Sequence, residues 1–229
     1  MRRFTLLLSL CILSGISIHS YELDREVQID LDGDGKPESI LVKGSEGGAV
    51  ITINKKKFPI DQEIASFEIV DIQVSDKQKE ISLSGSLDYD PVYFLTWKKN
   101  QIVLVGKAYS PEIQGNGILY SNSWQGFWSK KDKFTLAEKT HQLKQSEQDF
   151  YYVGQVGKVE KSFPIYSNET MSEKLAYLKK GSEIMILISK VHPKDSSKNK
   201  YLVKSESNLL GWISEKEIQK FLSGINWAG

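Results

Sequence analysis

The sequence is poor in the residues that most often form crosslinks or act as nucleophiles. It contains one cysteine, Cys11, and three histidines among 229 residues. Cys11 lies in the only long apolar stretch, so the remainder of the chain has neither a thiol nucleophile nor a disulfide pair. Lys and Arg number 30 against 29 Asp and Glu, which gives a net charge of +1. Without a basic excess, the composition argues against a general nucleic-acid binder.

The apolar stretch at the N-terminus predicts an export signal. Arg2 and Arg3 precede an apolar segment that ends at Leu13, and small residues follow it. A positive start, a short apolar core and a small-residue end are typical of secretory signal peptides. We therefore interpret residues 1–20 as a signal peptide, with cleavage after Ser17 or Ser20, and expect a secreted or periplasmic protein of the cell envelope.

Two alternatives to simple cleavage stay open at this N-terminus. Cys11 would carry a lipid in a lipoprotein signal, although Leu10 stands where such signals have a small residue. Alternatively, the segment is a buried N-terminal strand. It is too short for a spanning helix and no comparable stretch follows, so we expect no transmembrane segment after signal cleavage.

Beyond residue 20 the pattern predicts an all-β fold. Short apolar or alternating runs, such as 49–53 and 92–97, recur between turn residues, and helix signals are scarce. The one predicted helix is 215–222, which Ser214 would cap. Lys55, Lys56 and Lys57 lie between apolar residues, as expected for a solvated hairpin tip.

A polar run at 138–149 divides the chain into an acidic first part and a mildly basic second part. Such a run is typical of a connector. The predicted organisation is a β-domain at 21–137, a polar connector at 138–149 and a second β-domain at 150–229. We expect the second domain to fold by itself.

The segment with the clearest chemistry is 30–38, with the sequence DLDGDGKPE. Gly33 and Gly35 permit positive backbone dihedrals, so Asp30, Asp32 and Asp34 converge in a tight loop. Converging carboxylates repel each other unless a hard cation lies between them. Ca²⁺ suits best because it accepts six to eight oxygens in irregular geometry.

The predicted calcium ligands include one main-chain oxygen beside the side chains. They are Asp30, Asp32, Asp34, the carbonyl of Lys36, and Glu38. The loop is not an ordinary EF-hand, because Leu41 stands at position 12 and a β-type run follows instead of a helix. The alternative is a polar hairpin with Asp-Gly turns and no ion.

With Glu38 and the strand-like run 39–42, this segment resembles the calcium loop of FG-GAP or VCBS-like repeats. Residues 71–81 are similar to a decayed copy 41 residues later. The copy keeps Asp71, Asp76 and Glu80, has Gln73 and Ser75 in place of carboxylates, and contains one extra residue. We expect it to keep the turn without the metal. The resemblance implies an FG-GAP-like β-domain, and two copies are too few for a complete propeller.

The second part resembles the bacterial SH3 (SH3b) domain. The phrases that carry the resemblance are GKV at 157–159, FPIY at 163–166, LKKGSEIMIL at 178–187, KYLVK at 200–204 and GWIS at 211–214. The resemblance implies a small SH3-like barrel that docks to a cell-envelope or cell-wall component, with cell-wall peptide bound in an aromatic groove. The candidate rings are Tyr151, Tyr152, Tyr166, Tyr201 and Trp212, and we choose Tyr166, Tyr201 and Trp212 as ligand-binding residues. Alternatively, Tyr201 and Trp212 fill the core, because both stand in strand-like runs.

Trp124, Phe127 and Trp128 form the densest aromatic cluster in the sequence. They could stack on a sugar or a partner. Because Phe127 and Trp128 are adjacent, they do not share one strand face. The pattern therefore favours a turn that packs against the junction between the two parts.

The sequence shows no catalytic motif of a hydrolase, kinase or dehydrogenase. Asp88 and Asp90 form an acidic pair, but such pairs on loops are usually solvated. We therefore expect a non-enzymatic exported protein that binds a cell-envelope component or another exported protein, without nucleic acid. The alternatives are a cell-wall hydrolase or an accessory fragment of one, and a structural or inhibitory partner of another exported protein.

Overall fold

The computed structural model describes residues 19–227, and over these residues the chain is all-β, as the sequence predicts. Cys11 and the bulk of the predicted signal, residues 1–18, lie outside the described residues. The signal was expected to reach Ser20, yet His19 and Ser20 belong to the first strand. Within 19–227 no helix is long and apolar enough to span a membrane.

Three antiparallel sheets occupy the first two thirds of the described chain, and each contains a four-stranded meander. Strand β1 (His19–Tyr21) lies at the edge of the second sheet. The first sheet consists of β2 (Val27–Ile29), β3 (Glu38–Ser45), β4 (Gly48–Ile53) and β5 (Lys56–Ile60). The second consists of β6 (Ile64–Val70), β7 (Glu80–Gly85), β8 (Val92–Lys98) and β9 (Gln101–Ala108), with β1 beside β6. The third consists of β10 (Glu112–Ile113), β11 (Ile118–Trp124), β12 (Ser129–Ala137) and β13 (Gln142–Gln145).

The hairpins of these sheets follow from alternating apolar residues and tight turns. In β4, Ala49, Ile51 and Ile53 are buried while the residues between them are half-exposed. Asn54 and Lys55 both have positive φ angles, 45° and 72°, and connect β4 to β5. Two successive positive φ values produce the twist that a two-residue hairpin needs. The predicted turn at the lysine run is therefore confirmed.

The polar run at 138–149 contains a strand of the third sheet. Strand β13 pairs with β12, and Leu143 is opposite Leu136. Leu143 is half-buried against a core that includes Phe94 and Leu119, which explains why this polar stretch is held to the sheet. The third sheet thus extends past residue 137, and only 146–150 separate it from the next strand.

The C-terminal part is one seven-stranded antiparallel sheet with a short helix. Its strands are β14 (Tyr151–Val159), β15 (Phe163–Tyr166), β16 (Lys174–Leu178), β17 (Glu183–Lys190), β18 (Lys200–Ser205), β19 (Leu210–Ser214) and β20 (Leu222–Ser223). They lie in the order β16-β15-β19-β18-β17-β14-β20, and the two edge strands do not pair among the described residues, so the sheet is not a closed barrel. Helix α1 (Glu215–Phe221) confirms the predicted helix. The Glu217 carboxylate accepts hydrogen bonds from the Ser214 backbone N–H at 2.7 Å and from its hydroxyl at 3.0 Å.

The hairpin between β11 and β12 joins the third sheet to the C-terminal sheet. Phe127 and Trp128 at its tip are each 1% exposed and belong to the core of the C-terminal sheet. The Tyr151 hydroxyl donates a hydrogen bond to Asp132 Oδ1 at 2.9 Å. The expectation that the aromatic cluster packs against the junction is confirmed for Phe127 and Trp128, whereas Trp124 ends β11 and is 53% exposed. The described residues from 150 to 227 therefore share their core with the tip of a hairpin of the preceding sheet.

Candidate functional site

The loop between β2 and β3 brings together three of the predicted calcium ligands. One carboxylate oxygen from each of Asp30, Asp32 and Glu38 lies within 4.8 Å of the other two. Two oxygens bound to one Ca²⁺ at 2.3–2.6 Å are separated by at most about 5 Å. The three oxygens are therefore close enough to coordinate a single calcium ion.

Backbone amides shape this loop around the carboxylates. Asp30 Oδ2 accepts a hydrogen bond from Gly35 N at 3.0 Å, and Glu38 Oε2 accepts one from Leu31 N at 2.9 Å. Asp30 Oδ1 is buried and has no hydrogen-bond partner. A buried carboxylate oxygen without a partner is costly, so a cation at this position would remove a penalty.

The glycines have the conformation that the sequence predicts. Gly33 and Gly35 have φ angles of 70° and 84°. A Cβ at Gly33 would overlap the Cβ of Lys77 in the following loop, whereas one at Gly35 would meet open space. Gly33 is therefore required both for its backbone conformation and for the close approach of the second loop.

One of the predicted side-chain ligands, Asp34, lies outside the converging group. Asp34 is exposed, and its Oδ1 accepts a hydrogen bond from Lys36 N at 2.7 Å. Asp34 does not contribute to the three carboxylate oxygens that lie within 4.8 Å. Lys36 is exposed at the same turn. The side-chain part of the site is Asp30, Asp32 and Glu38.

The charges of the loop favour neutralisation of its carboxylates by protons or by a cation. Burial raises the pKa of Glu38, which is 4% exposed, and the charges of Asp32, Asp34 and Asp30 raise it further. The hydrogen bond from the Leu31 amide opposes this shift. A group of like charges partly removed from water binds either protons or a cation. This loop therefore has the charge distribution of a cation site.

The loop between β6 and β7 has the same hydrogen-bonded framework. Glu80 Oε2 accepts a hydrogen bond from Ile72 N at 2.9 Å, and Asp76 Oδ1 accepts one from Gln78 N at 2.9 Å. Asp71 Oδ1 is buried without a hydrogen-bond partner, as Asp30 Oδ1 is in the first loop. The similarity of residues 71–81 to residues 30–38 thus extends to the individual hydrogen bonds.

The second loop differs from the first in the group that faces its glutamate. His141 Nε2 lies 2.6 Å from Glu80 Oε1, and the residues are 4% and 0% exposed. Burial raises the pKa of Glu80, and the hydrogen bond and charge of His141 oppose that shift. The imidazole is supplied by the turn between β12 and β13 of the third sheet. Sequence reasoning missed this pair, because its members are 61 residues apart and His141 stands alone in a polar run.

Consecutive loops are also joined by main-chain hydrogen bonds. The Lys79 amide donates to the Leu31 carbonyl at 2.8 Å, and the Gly117 amide donates to the Ile72 carbonyl at 2.7 Å. The loop between β10 and β11 is therefore a third member of the series. Sequence reasoning missed it because residues 114–117, QGNG, contain no carboxylate.

The structure separates Tyr201 from the other two predicted ligand-binding aromatic residues. Tyr201 is 0% exposed and its hydroxyl donates a hydrogen bond to Glu215 Oε2 at 2.5 Å. Its assignment to a ligand groove is corrected, because a ligand cannot reach a fully buried ring. Tyr166 and Trp212 are directly opposite each other on β15 and β19, and both are half-buried. Trp212 also lies 6.3 Å from Phe150, measured between ring centroids.

Comparisons of the chain with protein-family models, curated proteins and solved structures found no match.

Proposed function

We propose that the chain is a calcium-stabilised, non-enzymatic exported protein that binds a component of the cell envelope. The observation that carries the calcium part is the convergence of Asp30, Asp32 and Glu38, together with the unpartnered Oδ1 of Asp30. Calcium supplies positive charge there and accepts the irregular oxygen geometry of a loop. The proposed role of the ion is structural, because it fixes the connection between the first two strands of the first sheet.

The assignment to export rests on the charge and size pattern at 1–20. Strand β1 adds a consideration about the cleavage position, since it begins at His19. Cleavage after Ser17 leaves the whole strand in the product, whereas cleavage after Ser20 removes two of its three residues. The first position is therefore the one we favour.

The rival function is a cell-wall hydrolase or an accessory fragment of one. Such an enzyme needs accessible acid, base or metal-binding groups. His141 is engaged with Glu80 in a buried pair, and the Asp90 carboxylate accepts a hydrogen bond from Leu87 N at 3.1 Å to close its own loop. These contacts favour a binding role for the chain over a hydrolytic one.

The two related loops supply a matched test of the calcium site. Asp30→Asn should abolish the rise in melting temperature that millimolar calcium causes, since it removes a ligand charge. Asp71→Asn, at the equivalent position of the second loop, should leave that rise intact. Differential scanning calorimetry with calcium or EGTA measures both variants. A wild-type melting temperature that is the same in calcium and EGTA would show that the loop is a plain turn.

Binding to the envelope is tested separately by sedimentation of the processed chain with isolated, insoluble cell-envelope material. The binding role predicts that the chain sediments with the material and releases no soluble fragments from it. Release of wall fragments by purified protein would instead support the hydrolase.

A further inference from the structure

One face of the β11–β12 hairpin carries six solvent-accessible side chains, of which Trp124, Ser129 and Lys131 are exposed and the others half-buried. Three cross-strand pairs form it: Tyr120 with Lys133, Asn122 with Lys131, and Trp124 with Ser129. Because side chains alternate between the two faces of a strand, these six share one face. The opposite face carries Leu119 and Ser121, which are buried. We call the exposed face the third-sheet platform.

Two open cavities adjoin the platform and share Asn122 and Ser129 as lining residues. The first has a volume of about 670 Å³ and lies between Trp124, Tyr89 and Tyr109. The second has a volume of about 710 Å³ and is lined by aromatic residues Tyr120, Phe150 and Tyr152, among others. Since they share two lining residues, the two cavities lie side by side on the hairpin, and we call them together the groove.

The aromatic rings along this groove are uncovered. Tyr152 is 75% exposed, Tyr89 73%, Trp124 53% and Phe150 47%. Isolated exposed aromatic residues are common, but several around one groove indicate an interaction site. The groove is thus the largest concentration of accessible aromatic surface that we find in the described chain.

The backbone positions that carry Trp124 and Tyr109 are fixed by the framework. Trp124 is the last residue of β11. The tip of the same hairpin, Phe127 and Trp128, is buried in the C-terminal core. Tyr109 is held on both sides of its peptide backbone: its N–H donates to Ser121 Oγ at 2.8 Å and its carbonyl accepts from Asn122 N at 2.7 Å. Rings held in advance lose little conformational entropy when a ligand binds.

Between the rings lie polar groups whose charges balance. Lys131 Nζ lies 2.7 Å from Glu112 Oε2, and Asn122 Nδ2 donates to Glu112 Oε1 at 2.9 Å. These contacts lower the pKa of Glu112, with the hydrogen bond from Lys131 as the main cause. The remaining charged side chains of the groove are Lys133, Glu147 and Asp88. The groove therefore has no cationic excess.

We propose that the third-sheet platform and its two cavities bind a linear, uncharged oligosaccharide of β-linked pyranose units. Such a chain has flat C–H faces that stack on Trp and Tyr rings, and hydroxyl groups between them that pair with amide, hydroxyl and carboxylate groups. The alternation of rings with Asn122, Ser129 and Asp88 matches this pattern. The inference rests on the proposed binding function and deepens it by naming the site and the ligand class.

The charge balance separates this ligand from a single-stranded nucleic acid, which also stacks on aromatic rings. Binding of a polyanion requires a basic groove. Here Lys131 is paired with Glu112, and Lys133 is offset by two acidic residues. An uncharged sugar chain does not require that excess.

The test is isothermal titration calorimetry of the processed chain with two probes, the hexamer of β-1,4-linked N-acetylglucosamine and the hexamer of β-1,4-linked glucose. At least one probe should bind, and Trp124→Ala should weaken it about tenfold or more, since aromatic anchors dominate binding energy. The matched control is Tyr177→Ala, which removes a ring that is 60% exposed and belongs to the C-terminal sheet outside the groove. This variant should bind as the wild type does.

Two further variants examine the length of the groove. Tyr89→Ala lies in the first cavity and Tyr152→Ala in the second. Both should weaken the bound hexamer, because the chain spans both cavities. Unchanged melting temperatures establish that the variants are folded.

The inference is overturned if neither hexamer binds, if Trp124→Ala binds as the wild type does, or if Tyr177→Ala loses binding equally. If a thymidine decamer binds more tightly than either hexamer, and this binding depends on Trp124, the ligand of the groove is a polyanion and not a sugar. Sedimentation with envelope material distinguishes the two proposals. If the chain still sediments but binds neither hexamer, the binding function survives and the ligand assignment fails.

Discussion

The loops 30–38 and 71–80 place the same acidic framework in two environments. Each has a glutamate whose Oε2 accepts from the amide of a buried residue, and each has an aspartate with a buried, unpartnered Oδ1. In the first loop, oxygens of Asp30 and Asp32 lie within 4.8 Å of an oxygen of Glu38. In the second loop an imidazole from another sheet lies against Glu80. The two loops thus differ in what can compensate the charge of the glutamate. In the first loop a cation would do so, whereas in the second loop the His141 side chain lies against it.

This difference explains how the second loop keeps a similar framework with one carboxylate fewer. Gln73 stands where the first loop has Asp32, whereas Asp76 accepts a hydrogen bond from Gln78 N as Asp34 does from Lys36 N, so one charge fewer needs compensation. His141 also connects the second sheet to the third, which an ion held within one loop would not do. The contact between His141 and Glu80 therefore also contributes to the packing between the second and third sheets.

The largest effect is expected from the buried pair. His141→Leu leaves the buried Glu80 carboxyl without its hydrogen-bond partner, and an unsatisfied buried polar group typically costs about 1–3 kcal/mol, and more when it is charged. Urea unfolding of the variant measures this loss. His192→Ala is the control, because His192 is half-exposed, and it should cost less than about 0.5 kcal/mol.

The double variant Glu80→Leu/His141→Leu should regain much of the loss, since a buried pair replaced by apolar groups is often neutral. A single His141→Leu variant as stable as the wild type would mean that the pair contributes only packing.

The next effect concerns the ion. Calcium at a hundred times its dissociation constant should raise the free energy of unfolding by about 2.7 kcal/mol, because it binds only the folded chain. Magnesium should do much less, since its small octahedral shell fits a flexible loop poorly. Asp32→Ala should remove the calcium response in the same titration. An equal response to both ions would contradict a calcium-selective loop.

A smaller effect is expected from pH. In EGTA the pKa of Glu38 is raised in the folded state, so its protonation favours folding. The contribution of Glu38 to stability should therefore increase as the pH falls from 7 through its folded-state pKa towards the ordinary value of 4.5. Raising the pH over the same range should decrease it. Thermal melts of wild type and Glu38→Gln in EGTA measure this contribution, which the variant should lack.

Calcium should reverse that contribution, because protons compete with the ion for the same oxygens. If the pH dependence of the wild type and of Glu38→Gln is identical in EGTA, the glutamate is not desolvated as the geometry indicates.

The smallest effect concerns the extra strand of the second sheet. A chain that begins after Ser17 keeps all three residue pairs between β1 and β6, whereas one that begins at Tyr21 keeps one. Tyr21 retains its stacking on Phe67, with ring centroids 5.3 Å apart, so the shorter chain should lose only about 1 kcal/mol. Mass spectrometry of exported material should find the longer form. An intact Met1 in a soluble product would argue against export.

The sequence predicted the elements whose signals are local. Alternating runs, the positive φ values of Gly33 and Gly35, and the capped helix after Ser214 depend on neighbouring residues, and all are present. The pairing of His141 with Glu80 could not be predicted, because it depends on which sheets lie together. The platform was missed for a related reason: Tyr120, Asn122 and Trp124 alternate on one strand, but their exposure depends on what the other sheets leave uncovered.

The meander topology also bears on the order in which the protein can fold. Apart from the pairing of β1 with β6, the first three sheets pair strands that are adjacent in sequence, so most of their contacts form between segments that emerge consecutively. The C-terminal sheet is different, since β20 pairs with β14 at Lys158 and Ser223. That edge can close only after Ser223 has emerged. A chain that emerges N-terminus first would therefore complete its first hairpins early and the C-terminal sheet later.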